Sequence, residues 1–133
     1  MNPNSQNLAA LFGRILLAVI FILSGFGKIT GYDGTAHYMA TKLPMVGVLL
    51  PLTILTELGG GLALAAGFKA RWVALLLGAF TVLAAIIFHD FWAAADAASK
   101  TSQQINFMKN IAIAGGMLMV YAFGPGRYSI DKS

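Results

Sequence analysis

Cysteine is absent from the 133 residues. That excludes disulfides, thiol redox chemistry, thiolate metal sites and iron–sulfur clusters. Charge is scarce too: 11% of residues are Asp, Glu, Lys or Arg, against about 25% in soluble domains. Histidine occurs only as His37 and His89, a thin basis for haem or metal ligation, and no metal site is expected. The nine Lys and Arg give a net charge of +4, but they are scattered. Without a basic run or an aromatic-interleaved patch, no nucleic-acid partner is expected. There is no Ser-His-Asp pattern, phosphate loop or dinucleotide fingerprint.

What is abundant is apolar surface. Hydrophobic residues make up 58% of the chain, and the mean hydropathy is +0.75. A chain of one domain's length cannot hide that much from water, because small folds keep a large surface fraction. The lipid bilayer is the expected solvent.

Four apolar runs fall at roughly 8–27, 46–68, 72–91 and 107–123, each near the ~20 residues of a spanning helix. The expected fold is all-α: an integral membrane four-helix up-and-down bundle, one transmembrane domain over residues 1–133. The first run follows an uncharged leader and lacks a small-x-small cleavage site, so it reads as a retained helix. Thr30-Gly31-Tyr32-Asp33-Gly34 reads as a polar turn, and Pro51 as lying in or near the first turn of the second helix. Gly67-Phe68-Lys69-Ala70-Arg71 is short enough to make helices two and three antiparallel neighbours. The polar stretch 96–106 precedes the fourth helix, the shortest of the runs, which would need tilt or local thinning of the bilayer to span. Gly25, Gly59-Gly60-Gly61, Gly78 and Gly115-Gly116 mark faces where helices approach closely in lipid.

An even number of spans puts both termini on one side. Lys69, Arg71, Arg127, Lys132 and Arg14 share that side, and Lys28, Lys42, Lys100 and Lys109 the other. The excess of one cation favours cytoplasmic termini.

Ionisable residues at membrane depth are costly and usually face the bundle interior with a partner. Glu57 is about eleven residues from either end of the second helix, close to the midplane at ~1.5 Å per residue. Its reading is either protonation or pairing with a cation from another helix. Arg14 is ~6 Å away in depth. It either bridges to Glu57 or snorkels to headgroups. Lys28 follows Arg14 by fourteen positions, about 1400° at ~100° per residue. Arg14, Ala18, Phe21, Gly25 and Lys28 therefore share one stripe.

At the membrane edge opposite the termini, an up-and-down bundle gathers Lys28, His89, Asp90, Asn106, Lys109 and Asn110, with Trp92 and Phe107 beside them. Two readings follow. One is an interfacial network that ties helix ends together. The other is a binding site for a polar head, such as a quinone or a small acid, with its tail between the helices.

Five segments in this order resemble the DoxX family. They are Arg14 with the run Phe21 to Lys28, then Glu57-Leu58-Gly59-Gly60-Gly61, Phe88-His89-Asp90-Phe91-Trp92, Asn106-Phe107-Met108-Lys109-Asn110, and Gly124 to Asp131. The resemblance covers about Leu11 to Asp131. It implies a multi-pass protein of the bacterial inner (cytoplasmic) membrane, and motif positions at Lys28, Glu57, His89, Lys109 and Asn110. By analogy with family members linked to quinol oxidase and thiosulfate–quinone oxidoreductase, it implies a small subunit that docks or supports a redox or sulfur-handling complex, and no enzyme on its own. The alternatives are a quinone-binding oxidoreductase component, with quinone as ligand, and a transporter acting as a homo-oligomer.

Overall fold

In hydrocarbon every backbone N–H and C=O must find a partner within the protein, which leaves helices as the economical form for such runs. The computed structural model describes residues 1–131, and its regular elements there are all helical. Four of its helical segments are long and apolar enough to cross a membrane. They are α1 (Pro3–Thr30), a composite of α3 (Val46–Ile54), a π-helical turn (Leu55–Gly59) and α4 (Gly60–Ala66), then α5 (Ala70–Phe88) and α6 (Ala97–Phe123). A short helix, α2 (Tyr32–Ala40), sits between the first two spans, and a 3-10 turn (Phe91–Ala93) between the last two.

The spans differ from the hydropathy limits where capping chemistry overrides apolarity. α1 starts at Pro3 because Asn2 accepts the Ser5 N–H at 2.8 Å and Pro3 occupies the first turn, where its missing N–H costs nothing. α6 starts at Ala97, far before the expected 107, because Asp96 accepts from Ser99 N at 2.7 Å. The stretch 97–106 is therefore the polar opening of a 27-residue helix, long enough to span. α5 stops at Phe88, three residues early, as His89 leaves helical geometry. The expected turn at Thr30 to Gly34 narrows to Gly31 alone, and Tyr32 onward is helical with Asp33 in its first turn. Pro51 is a further correction. The helix begins at Val46, so Pro51 falls in its second turn, where the carbonyl four residues earlier loses its donor.

The α1 stripe is the buried one: Arg14, Ala18, Phe21 and Gly25 are its buried residues. Of these, Ala18 and Phe21 build the core with Leu64, Ala70, Ala74, Leu77 and Met117. Gly25 lets α1 touch the π turn, since a Cβ there would lie 2.9 Å from the Leu58 backbone nitrogen. α5 and α6 form the fullest interface, and α1 packs on α4 and the π turn. Phe12, Leu16, Leu23, Leu76, Leu118 and Met119 all point outward. Water would make that surface an aggregation hazard, whereas lipid makes it the solvated face.

Gly67 ends α4 in a left-handed conformation (φ +75°), with Phe68 N–H bonded to Ala63 O and Gly67 N–H to Leu64 O. This pair of bonds satisfies the helix's last carbonyls and turns the chain at once into α5.

Candidate functional site

The two ends of the α1 stripe go to different surroundings. Arg14 is 2% exposed. Its guanidinium donates to the carbonyl oxygens of Pro125, of Tyr128 at 2.7 Å and of Ala65 at 3.3 Å. It neither reaches Glu57 nor snorkels to headgroups, the two fates open to it in the sequence. The chain after α6 turns back beneath the bundle and supplies those carbonyls. Ile130 N–H donates to Ala66 O, Asp131 N–H to Gly67 O, and the Asp131 carboxylate accepts Lys69 N–H at 2.7 Å. Asn7 accepts Arg127 N–H at 2.9 Å, so both chain ends meet at this side. Lys132, counted for orientation, lies outside the described residues.

At the other end, Lys28 Nζ stands 2.8 Å from Glu57 Oε1 and donates to Ser24 Oγ at 2.7 Å. The lysine approaches the carboxylate off the hydrogen-bond direction, so buried Oε1 retains acceptor capacity. Glu57 is held by the π turn, a geometry recurrent at functional sites because it re-aims a side chain out of the α-helical register. Serine at position 24 is four residues before Lys28 and so on the same face, a signal available in the sequence but not used.

Lys28 and Glu57 line a cavity of about 900 Å³. His89, Lys109 and Asn110 line it as well. Asn110 donates to Thr81 O at 3.3 Å, and His89 Nδ1 lies 2.9 Å from Gln103 Oε1. Lys109 Nζ contacts Asn106 Oδ1 at 3.5 Å, and among the described residues no carboxylate pairs with it. The remaining wall is apolar, from Phe21, Leu49, Phe80, Ala84 and Ile87, with hydroxyls of Thr53, Thr56 and Thr81 interspersed. Most ligand pockets have this character: apolar walls and a few convergent polar groups.

Five of the eight expected residues thus surround one space. Three do not. Arg14 belongs to the opposite end. Asp90 is turned away to Lys42, at 2.9 Å, and Asn106 contacts Lys109 without lining the cavity. The sequence reading missed α2, whose Thr35, Tyr38 and Met39 form part of the wall. The Tyr38 ring packs 5.7 Å from that of Phe88. Phe91, Trp92 and Phe107 make an edge-on aromatic cluster beside the site. Among the described residues no three His, Asp or Glu side chains gather to hold a metal.

Comparisons with known proteins agree with this architecture. The DoxX family model matches residues 9–90. The chain is 44% identical over 127 residues to the inner membrane protein YqjF of Escherichia coli, covering 96% of this chain and 92% of that one. It is 36% identical to the inner membrane protein YphA of the same organism, over 92% and 87% of the two chains. A more distant likeness, 22% identity, is to the ER-derived vesicles protein ERV29 of Saccharomyces cerevisiae, with 98% of this chain matched to 35% of that protein. No solved structure matches. The family match runs over more than half the chain, and the chain belongs to the DoxX family of membrane proteins.

Proposed function

We propose that this protein is a non-enzymatic inner-membrane subunit, a single transmembrane domain that holds a quinone-class amphiphile between its helices in support of a redox complex. The observation that carries the reading is the cavity of about 900 Å³, apolar along its walls and polar at one end. Its volume is ample for a drug-sized ring with part of a tail, since ligand pockets run ~300–1,000 Å³. Lys109 and Asn110 supply donors for a carbonyl oxygen, and the Lys28–Glu57 pair supplies a donor and an acceptor side by side. The inner-membrane location draws on the E. coli relatives' names, and cytoplasmic termini on the cation count. The chain has no cysteine, hence no thiol or iron–sulfur carrier of its own, and this reading assigns electron transfer to the quinone and the partner enzyme.

The test is purification of the tagged protein from its native membrane in nanodiscs, with proteins and small molecules read by mass spectrometry in one sample. The expected result is a stoichiometric quinone together with a redox enzyme. The quinone should be lost on Lys109→Ala in a well-folded protein. A partner enzyme with no quinone would reduce the protein to a docking subunit and make the polar end structural.

A further inference from the structure

The cavity is bounded unequally. Toward the polar end, α2 lies across it. Tyr38 packs on Phe88, and Lys42 reaches Asp90 at 2.9 Å, so both links join α2 or the segment after it to the end of α5. Toward the bilayer, the boundary is open. α3 packs on α1 and α2, and it is α4, the second half of that span, that packs on α5. Pro51 and the π turn are the two interruptions of the helical ladder in the half that stands away from α5. Leu52 on α3 and Leu83 on α5 both line the cavity, yet they are 52% and 57% exposed. Both lie well inside the spanning segments, so the surface they expose beyond the cavity meets hydrocarbon.

We infer that the cavity is loaded sideways from the bilayer, through the gap between α3 and α5, by an amphiphile with one apolar tail and a head of carbonyl or hydroxyl oxygens. The inference rests on the ligand reading above and adds the route and the tail. The head passes from hydrocarbon to the donors of Lys28, Lys109 and Asn110 without crossing water. The tail remains between Leu52 and Leu83, where apolar contact costs no desolvation. A tailless head would gain only the polar contacts. A headless chain would leave the polar end without partners, at a cost of the kind met whenever buried polar groups go unpaired.

The absence of native cysteine makes the route testable at chosen sites. A tailed quinone with a photoreactive diazirine on its tail is added to the full chain in nanodiscs. Labelled residues are read by mass spectrometry, with unlabelled tailed quinone as competitor. The same labelling is repeated on the Leu52→Cys/Leu83→Cys variant, before and after bridging with a bifunctional maleimide. A Leu83→Trp variant serves as a second, uncrosslinked obstruction. The expected result is competable labelling of Leu52, Leu83 and Ile87, slowed at least tenfold by the bridge and by the tryptophan. Competable labelling of Tyr38 and Met39 that neither obstruction slows would overturn the lateral route and leave the quinone reading standing. Labelling that no competitor reduces would remove both.

Discussion

Arg14 and Lys28 share one face of α1, but one cation ends in backbone carbonyls and the other beside a carboxylate at the edge of a cavity. Arg14 is enclosed by the chain segment after α6, the end of α4 and the first turns of α1. Its planar guanidinium can serve several acceptors in fixed directions, which suits a permanent clasp. Lys28 has a compact, mobile ammonium shared between Glu57 and Ser24. Around it the protein leaves space instead of filling it. Arg14 is tied through both terminal nitrogens to three carbonyls, with Nε left over, whereas Glu57 Oε1 keeps its free acceptor at the wall of the cavity. The first end closes on the protein's own backbone, and the second borders open volume.

That contrast can be broken from either side. Arg14→Ala should have the largest effect, because it orphans three carbonyls, two in the segment after α6 and one in α4, at once. We expect a loss of about 3 kcal/mol, seen as a lower melting temperature in detergent, with the chain beyond Gly124 becoming protease-sensitive. Gly25→Val comes next. Its Cβ would press on the Leu58 backbone, forcing α1 from the π turn at a cost of about 2 kcal/mol, measurable by the same melt. Glu57→Gln should do the reverse of Arg14→Ala. It leaves the melt nearly unchanged but lowers bound quinone about tenfold, or ~1.4 kcal/mol of binding. An Arg14→Ala protein that melts like wild type would erase the distinction between the two ends.

Smaller effects sharpen it. Asp90→Asn frees Lys42, and with it the C-terminal end of α2, from the end of α5, an exposed link that salt screens. Hydrogen exchange of α2 should rise at low ionic strength, and the difference should vanish in high salt. Asp96 caps α6 in water, and the Ser99 backbone N–H and hydroxyl hold its carboxyl below the usual carboxylate range. A depressed acid contributes fully above its ordinary pKa of about 4 and loses that contribution as pH falls through the lowered value. Exchange in the first turn of α6 should therefore speed up only in strong acid for the wild type, and already at neutral pH for Asp96→Ala.

The α1 stripe was legible because helical periodicity alone places Arg14, Ala18, Phe21 and Gly25 on one face, whatever they pack against. The existence of four spans was legible because hydrocarbon admits few other backbone forms. Their ends were less so. Asn2 and Asp96 extend helices into polar sequence that hydropathy counts as loop, and Gly31 breaks the helix where a whole turn was expected. The partners of Arg14 were hidden for a different reason: carbonyl oxygens belong to every residue and leave no mark in the sequence.

The sequence by itself determined the solvent, the helical class and which ionisable residues carry the burden of being in a membrane. Each of these follows from composition and from local geometry, and needs no knowledge of neighbours. Tertiary structure decided which charge meets which. Pairing depends on how helices rotate about one another, and that is set by close approaches such as Gly25 against Leu58. It also decided that one end of the bundle is clasped by backbone carbonyls and that the other encloses a cavity beneath α2. Which half of the second span packs on α5 is a property of how two surfaces meet, and no single residue encodes it.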